Sequence, residues 1–256
     1  MTRRKMIAGN WKMNNTAAEG AELVAAIAAS MPSTPAANAP EVVVCPPFTT
    51  LAAVVAKAAG TGIAVGAQNV HWAASGAFTG EISATMLKSL PVTHVLVGHS
   101  ERRQYFGETD ATVNQRTRAA LAEGLTVIVC VGETLAERED GSTMAVVERQ
   151  VRHGLEGVTE AEMQQIVIAY EPVWAIGTGK VATDEQAQEV HASIRKTLGA
   201  MYSDAVAGAT RILYGGSMNP TNAAGLLAQP DIDGGLIGGA ALKAADFTAL
   251  IAAAAG

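Results

Sequence analysis

Short runs rich in β-branched residues alternate along the whole chain with alanine-rich stretches of helical periodicity. Eight such runs fall at residues 5–9, 42–45, 63–67, 93–97, 125–130, 166–170, 211–214 and 232–237. They are too short for helices and read as strands. Ile166, Val167 and Ile168 lack polar alternation altogether, as in a strand buried on both faces. A helical stretch follows each run. The first opens at Thr16, where Thr16-Ala-Ala-Glu19 has the capping-box pattern and predicts a helix over residues 16–30. Strand–helix alternation builds a parallel sheet through right-handed crossovers. An open doubly wound sheet and a closed barrel compete, but eight units in a chain close to the barrel's usual length of about 250 residues favour the barrel. The expected fold is therefore α/β, a single-domain (β/α)8 barrel of eight parallel strands over residues 1–256. No linker divides it, although residues 31–40 form a Pro/Ala-rich loop able to carry an insertion.

Polar residues and glycines gather where the runs end. Asn10 and Lys12 follow the first, Gln68 and Asn69 the third, His99 and Ser100 the fourth, and Glu171 the sixth. Gly215-Gly-Ser217 follows the seventh and Gly238-Gly239 the eighth. In a barrel all these ends open on one mouth, where active sites of this architecture sit. The sixth connection is the most informative. Pro172 removes a backbone donor and biases Glu171 toward an extended conformation, so stiff backbone aims the carboxylate. Val173-Trp174-Ala175-Ile176 is too apolar for a solvated loop, and Gly177 and Gly179 bracket its far side before a second capping box at Thr183 to Gln186. This is the pattern of a lid. Gly-Thr-Gly-Lys180 fails the Walker pattern, which requires glycine in place of Trp174 and a hydroxyl residue in place of Val181. Gly177, Gly179 and Ala182 fit G-x-G-x-x-A, but the strand ends too far ahead for a dinucleotide turn.

Composition narrows the partners. Of 256 residues 49% are apolar, the mean hydropathy is +0.20 and the net charge is -6, which describes a globular chain without a basic stripe for nucleic acid. Cys45 and Cys130 are far apart and lack C-x-x-C spacing, so neither a disulfide framework nor a zinc site is indicated, and a reducing cytoplasm fits. The apolar stretch after Arg3-Arg-Lys5 is too short for a signal-peptide core, and no run is long enough to span a membrane. Asn14-Asn-Thr16 matches a glycosylation sequon that carries no meaning without secretion.

Each polar residue has a bland reading beside the chemical one. The two glycine pairs are either tight turns or backbone cradles for an anion, and their positions after the last two strands favour a phosphate. Lys12 is either a solvated lysine or a cation beside developing negative charge, and Asn10 either a turn former or a donor to a substrate oxygen. His99 precedes the expected helix start at Ser100, so a helix N–H directed at one ring nitrogen favours a neutral imidazole carrying its hydrogen on the other. Glu101 pairs with Lys12 or caps its own helix. His71, His94, His153 and His191 read as structural. There is no H-E-x-x-H, Cys/His cluster or G-x-S-x-G elbow, and Cys130 has no visible activating partner. One carboxylate base, one neutral donor, one cation, a phosphate cradle and a lid together suit proton abstraction beside a carbonyl in a small phosphorylated compound.

The stretches Ala8-Gly-Asn-Trp-Lys-Met-Asn14, Ser75-Gly-Ala-Phe-Thr-Gly-Glu81, Val97-Gly-His-Ser-Glu-Arg-Arg103, Ala169-Tyr-Glu-Pro-Val-Trp-Ala-Ile-Gly-Thr-Gly-Lys180 and Tyr214-Gly-Gly-Ser217 closely resemble the triosephosphate isomerase family, over essentially the whole chain. The resemblance implies a TIM barrel and a cofactor-independent, metal-free aldose–ketose isomerase of glycolysis and gluconeogenesis. It would interconvert dihydroxyacetone phosphate and D-glyceraldehyde 3-phosphate through an enediolate. It further implies Glu171 as base, neutral His99 as electrophile, Lys12 as electrostatic partner and Asn10 as donor. The N–H groups of Gly177, Ser217, Gly238 and Gly239 would hold the phosphate under the closing loop. The connection carrying Trp72 and Phe78, through Glu81, is expected to build a homodimer. Met218-Asn219 and the Pro/Ala-rich loop depart from the family pattern away from this chemistry. Another phosphosugar isomerase on the same barrel and a non-catalytic phosphometabolite-binding protein are the alternatives.

Overall fold

A computed structural model describes residues 3–31, 38–176 and 181–256. Eight strands form a closed barrel in sequence order: β1 (Met6–Asn10), β2 (Glu41–Cys45), β3 (Ile63–Ala67), β4 (His94–Val97), β5 (Thr126–Val131), β6 (Ile166–Tyr170), β7 (Arg211–Tyr214) and β8 (Gly234–Ile237). Every neighbouring pair is parallel, and β1 closes the ring on β8. The helices are α1 (Ala17–Ser30), α2 (Leu51–Ala58), α3 (Ala84–Lys88), α4 (Ser100–Phe106), α5 (Asp110–Ala122), α6 (Leu135–Glu139), α7 (Thr143–Gly154), α8 (Asp184–Met201), α9 (Asp204–Ala209), α10 (Ala223–Leu227) and α11 (Ala244–Ala255). The capping boxes expected at Thr16 and Thr183 both form and fix the starts of α1 and α8.

Strand limits follow the expected runs within one residue except at β8, which begins at Gly234 instead of 232. Gly234 adopts φ +141, and a Cβ there would lie 1.8 Å from the Met6 carbonyl oxygen. Backbone so turned, and so close to β1, cannot continue a regular strand through any other residue type. Most of the Pro/Ala-rich loop, residues 32–37, lies outside the described residues. Among the described residues no helix is long and apolar enough to cross a membrane.

The two-residue period of the strands divides the core. Met6, Ala8, Val43, Leu96, Ile128 and Val167 fill the barrel, while Ile7, Val44, Val95, Val127 and Ile168 face the surrounding helices. This is why the runs are apolar without alternation. Each fully buried Val, Leu or Ile contributes about 1.5–3 kcal/mol of transfer free energy. Cys45 and Cys130 are free thiols inside the barrel, and burial pushes Cys45 up to about 12. After β3 the chain runs through a long connection before α3. His71 stacks on Trp72 and packs against Phe78, with ring centroids at 4.2 and 4.3 Å, while Trp72 and Phe78 remain 38% and 45% exposed.

The amino-terminal mouth is closed by charge. Glu41, His94 and Arg211 are the first residues of β2, β4 and β7, in phase with the interior positions. His94 Nε2 lies 3.3 Å from the Glu41 carboxylate, and Arg211 donates to its other oxygen. His94, and next Arg211, hold the Glu41 carboxyl down at about 2 against the opposing effect of burial. Because the folded value lies below the ordinary 4.5, the stability from this group is present above pH 4.5 and disappears as pH falls toward about 2. The urea midpoint of Glu41→Gln should therefore fall well below that of the parent near neutral pH, with the gap closing in acid. A gap of constant size would show that Glu41 acts there through shape alone.

Candidate active site

Glu171 stands at the end of β6, hydrogen-bonded into the sheet on both sides. Its N–H donates to the Val131 carbonyl at 2.7 Å, and Gly215 N–H donates to the Tyr170 carbonyl at 2.6 Å. The side chain is 2% exposed, and both carboxylate oxygens are occupied. Oε2 accepts from Ser100 N–H at 3.0 Å, while Oε1 lies 2.9 Å from His99 Nε2 and accepts from Ser100 Oγ at 3.3 Å. A Cβ on Gly215 would come 2.8 Å from Glu171 Cγ, so glycine leaves the room this carboxylate occupies.

His99 caps α4. Its Nδ1 accepts from Glu101 N–H at 3.2 Å, as expected, which places the ring hydrogen on Nε2 facing Glu171. Burial pulls the imidazolium down, yet the Glu171 carboxylate, with Glu101 beside it, lifts His99 above the ordinary histidine range. Burial likewise disfavours the Glu171 carboxylate, but His99, the Ser100 amide and Lys12 hold its pKa below the usual range. The Glu101 N–H opposes the charging of His99, because an imidazolium has no lone pair to offer it. At the base of this pair the Cys130 thiol is pushed well above its usual value by burial and by the neighbouring carboxylate, so it is no nucleophile.

Lys12 follows β1 with a left-handed backbone, φ 53. Its N–H donates to Asn10 Oδ1 at 3.0 Å, which leaves the Asn10 amide nitrogen as the side chain's donor. Gln68 Nε2 donates to the Lys12 and Cys45 carbonyls at 2.8 and 2.9 Å and fastens the turn to β2. Lys12 Nζ pairs with Glu101 Oε1 at 2.7 Å, so Glu101 bridges Lys12 and the His99 turn, and the cap of α4 falls to His99.

A cavity of 290 Å³ brings Asn10, Lys12, His99 and Glu171 together with Gly215, Gly216, Ser217, Gly238 and Gly239. The position of a Cβ on Gly238 would lie 3.9 Å from Lys12 Nζ, so the glycine backbone and the ammonium line one wall. Ser217 Oγ donates to the Ala175 carbonyl at 2.9 Å, tying the turn after β7 to the connection after β6. Gly177, the remaining anion-binding candidate, lies outside the described residues, as do 178–180. Among the described residues no group of three His, Cys, Asp or Glu side chains is placed to hold a metal.

Glu133 went unassigned by sequence reasoning. It is fully buried and accepts from Trp174 Nε1 at 2.7 Å and from Tyr170 Oη at 3.1 Å, while Arg138 stacks over the Trp174 ring. Burial raises its pKa. The available signal was an acid two residues past β5, close to the level at which Glu171 follows β6. Ile176, from the connection after β6, borders both the 290 Å³ cavity and a larger one of 780 Å³, both lined by Glu171 and the larger also by Trp174.

The fold and this clustering place the chain among single-domain (β/α)8 barrels with a histidine–carboxylate pair at the carboxyl mouth. A family model described as triosephosphate isomerase matches residues 5–254. Curated proteins named triosephosphate isomerase are similar over nearly their full lengths. That of Moorella thermoacetica is 58% identical, covering 97% of this chain and 98% of its own. Those of Prosthecochloris aestuarii and Chlorobium luteolum are 56% and 55% identical, each covering 98% of this chain and 98% and 99% of their own. The chain belongs to the triosephosphate isomerase family.

Replacing Glu171 by glutamine removes the charge that lifts His99 and leaves the burial that lowers it. The ring should then titrate at lower pH in Glu171→Gln than in the parent, followed by 15N NMR of the imidazole. An unchanged midpoint would show that Glu171 does not govern the charge of His99.

Proposed function

We propose that this chain is a single catalytic domain, residues 1–256, that interconverts dihydroxyacetone phosphate and D-glyceraldehyde 3-phosphate by proton transfer through an enediolate. The observation that carries this reading is the 2.9 Å pairing of Glu171 with His99 on the wall of a cavity that also holds Lys12 and the glycine turns. Triose phosphate in that cavity sets its phosphate against the N–H groups of Ser217, Gly238 and Gly239, and against Gly177 from the lid. Glu171 exchanges its bonds to Ser100 and His99 for the carbon-bound proton, moves it between the adjacent carbons, and returns it. His99 Nε2–H and the Asn10 amide donate to the two substrate oxygens, and as the carbon-bound proton moves, the hydroxyl proton of one oxygen passes to the other by way of His99. Lys12 offsets the charge that develops there. Once Glu171 leaves His99 for the substrate, the contact that lifts the imidazole is gone while the Glu101 N–H still claims Nδ1, so a neutral ring donating Nε2–H suits this role. Lid closure excludes water, which strengthens these fixed dipoles and protects an intermediate prone to losing phosphate.

The test is a coupled assay on both triose phosphates in chelator-treated buffer, where turnover in both directions is expected. Binding without turnover would favour a phosphometabolite-binding barrel. Glu171→Gln should lose on the order of 10²-fold or more in kcat, the scale of general-base catalysis, with affinity for inorganic phosphate retained. Near-parental turnover in that variant would remove Glu171 as the base.

The same reading makes the protein a cytoplasmic homodimer. Trp72, Phe78, Met13 and Met86 are apolar and exposed, Met13 at 95%, and His71 stiffens the loop that bears the first two. That loop inserts into a second copy and covers apolar surface a single barrel leaves wet. Phe78→Asp should lower both assembly in sedimentation and activity. A fully active monomer would remove the dimer from the account of function.

A further inference from the structure

Strand β5 outlasts its neighbour β4. The two are paired as far as Val97 opposite Val129, after which the chain leaves the sheet through Gly98 and His99 into α4. On its other side β5 stays bonded to the segment after β6: Glu171 N–H donates to the Val131 carbonyl at 2.7 Å, and Val173 N–H to the Glu133 carbonyl at 3.1 Å. Successive residues of a strand turn their backbone groups to opposite sides. Gly132 therefore directs both of its groups toward the gap left by β4.

One side chain fills that gap. Gln150, on α7 and 5% exposed, accepts from Gly132 N–H at 2.7 Å through Oε1 and donates to the Gly132 carbonyl at 3.1 Å through Nε2. A primary amide offers one acceptor and one donor side by side, as a peptide group does, so Gln150 stands in for the missing strand partner. The peptide it grips bears on the candidate base. A Cβ on Gly132 would come 1.7 Å from the Glu171 carbonyl oxygen and 3.2 Å from its Cα. Backbone lies directly on backbone there, with no side chain between them to absorb a shift.

We infer that Gln150 is a positioning residue: by holding the Gly132 peptide it sets where Glu171 stands relative to the substrate carbons. This rests on the reading of Glu171 as the base. A displacement of the base by about 1 Å costs up to about 10²-fold in rate, whereas Gly132 lines the larger cavity and the glycine turns after β7 and β8 line the smaller one.

Steady-state kinetics of the full-length Gln150→Leu, Gln150→Glu and Glu171→Gln variants, with inorganic phosphate as competitive inhibitor and thermal melts as a fold control, test it. Gln150→Leu should lower kcat about tenfold or more while inhibition by phosphate stays within about twofold of the parent. Gln150→Glu adds a signature that loosened packing would not give. Its protonated carboxyl offers the donor and acceptor of the amide, whereas its ionised form has no donor and sets an oxygen against the Gly132 carbonyl. Its kcat relative to the parent should rise as pH falls, and this variant carries the test if Gln150→Leu does not fold. Parental kcat in both Gln150 variants, a fall in kcat matched by equal loss of phosphate affinity, or a pH-independent ratio for Gln150→Glu would each overturn the inference. If Glu171→Gln is impaired while the Gln150 variants are not, only the positioning role fails; if Glu171→Gln turns over normally, the underlying reading fails.

Discussion

The end of β6 is fastened to both neighbouring strands up to the peptide that bears Glu171, and the rest of the site is arranged around that fixed point. Glu171 N–H is held by Val131, and the Tyr170 carbonyl is held by Gly215. A parallel ring leaves no freedom to stagger one strand against the next without breaking hydrogen bonds all round, so fixing one carboxyl end fixes the others. Asn10, His99, Ser217 and Gly238 are thus brought to one mouth by backbone geometry, before any side chain interaction is counted. Glycine at 132 and 215 completes the constraint, since a side chain at either position would collide with Glu171.

The electrostatics work against burial and are concentrated in few bonds. A carboxylate that is 2% exposed is costly unless charge or hydrogen bonds compensate it. Ser100 N–H and His99 supply that compensation, and both come from a single turn between β4 and α4. The partners that make the carboxylate tolerable also engage the lone pairs a base needs. Burial and readiness are therefore opposed: under the proposed reading of Glu171 as base, the carboxylate gives up these bonds only as a carbon-bound proton is presented to it. Lys12 and Glu101 sit differently. Both keep substantial exposure, so their ion pair adds little to stability, and its consequence is the orientation of the ammonium.

Much of this was legible along the chain, for a physical reason. Strands buried on both faces must be short and apolar without alternation, and helix starts must satisfy their own N–H groups, so runs such as 166–170 and the boxes at Thr16 and Thr183 announce themselves locally. Closure followed from counting, and the common mouth from the clustering of polar residues after the runs. What stayed hidden depends on neighbours remote in sequence. Gly132, Gln150 and Glu133 acquire meaning only because β5 lies between a strand that ends early and one that continues. The Glu41, His94 and Arg211 cluster spans three strands, and no local pattern links its members. The bend at Gly234 is set by the proximity of Met6, which only the closing pair of the barrel creates. Gln68 stood at the right place in the sequence, yet its task of holding the Lys12 carbonyl needs the turn after β1 beside it.

That turn shows where the fold accepts local cost. A lysine at φ 53 occupies a region that disfavours a Cβ by about 1–2 kcal/mol, and a glycine would sit there without strain. Asn10 and Gln68 each contribute a hydrogen bond to the strained residue, holding its N–H and its carbonyl. Those bonds would form equally well around glycine, so they stabilise the turn without accounting for the lysine. Side chains on extended backbone stand across the strand, so an extended residue here would send the ammonium group to a different place. The left-handed turn folds it back beside Gly238 and against Glu101, within the cavity shared with His99 and Glu171. The strain and the two buttresses make sense together if the position must deliver an ammonium group to a fixed point. This ties the local cost to the same point that the end of β6 defines.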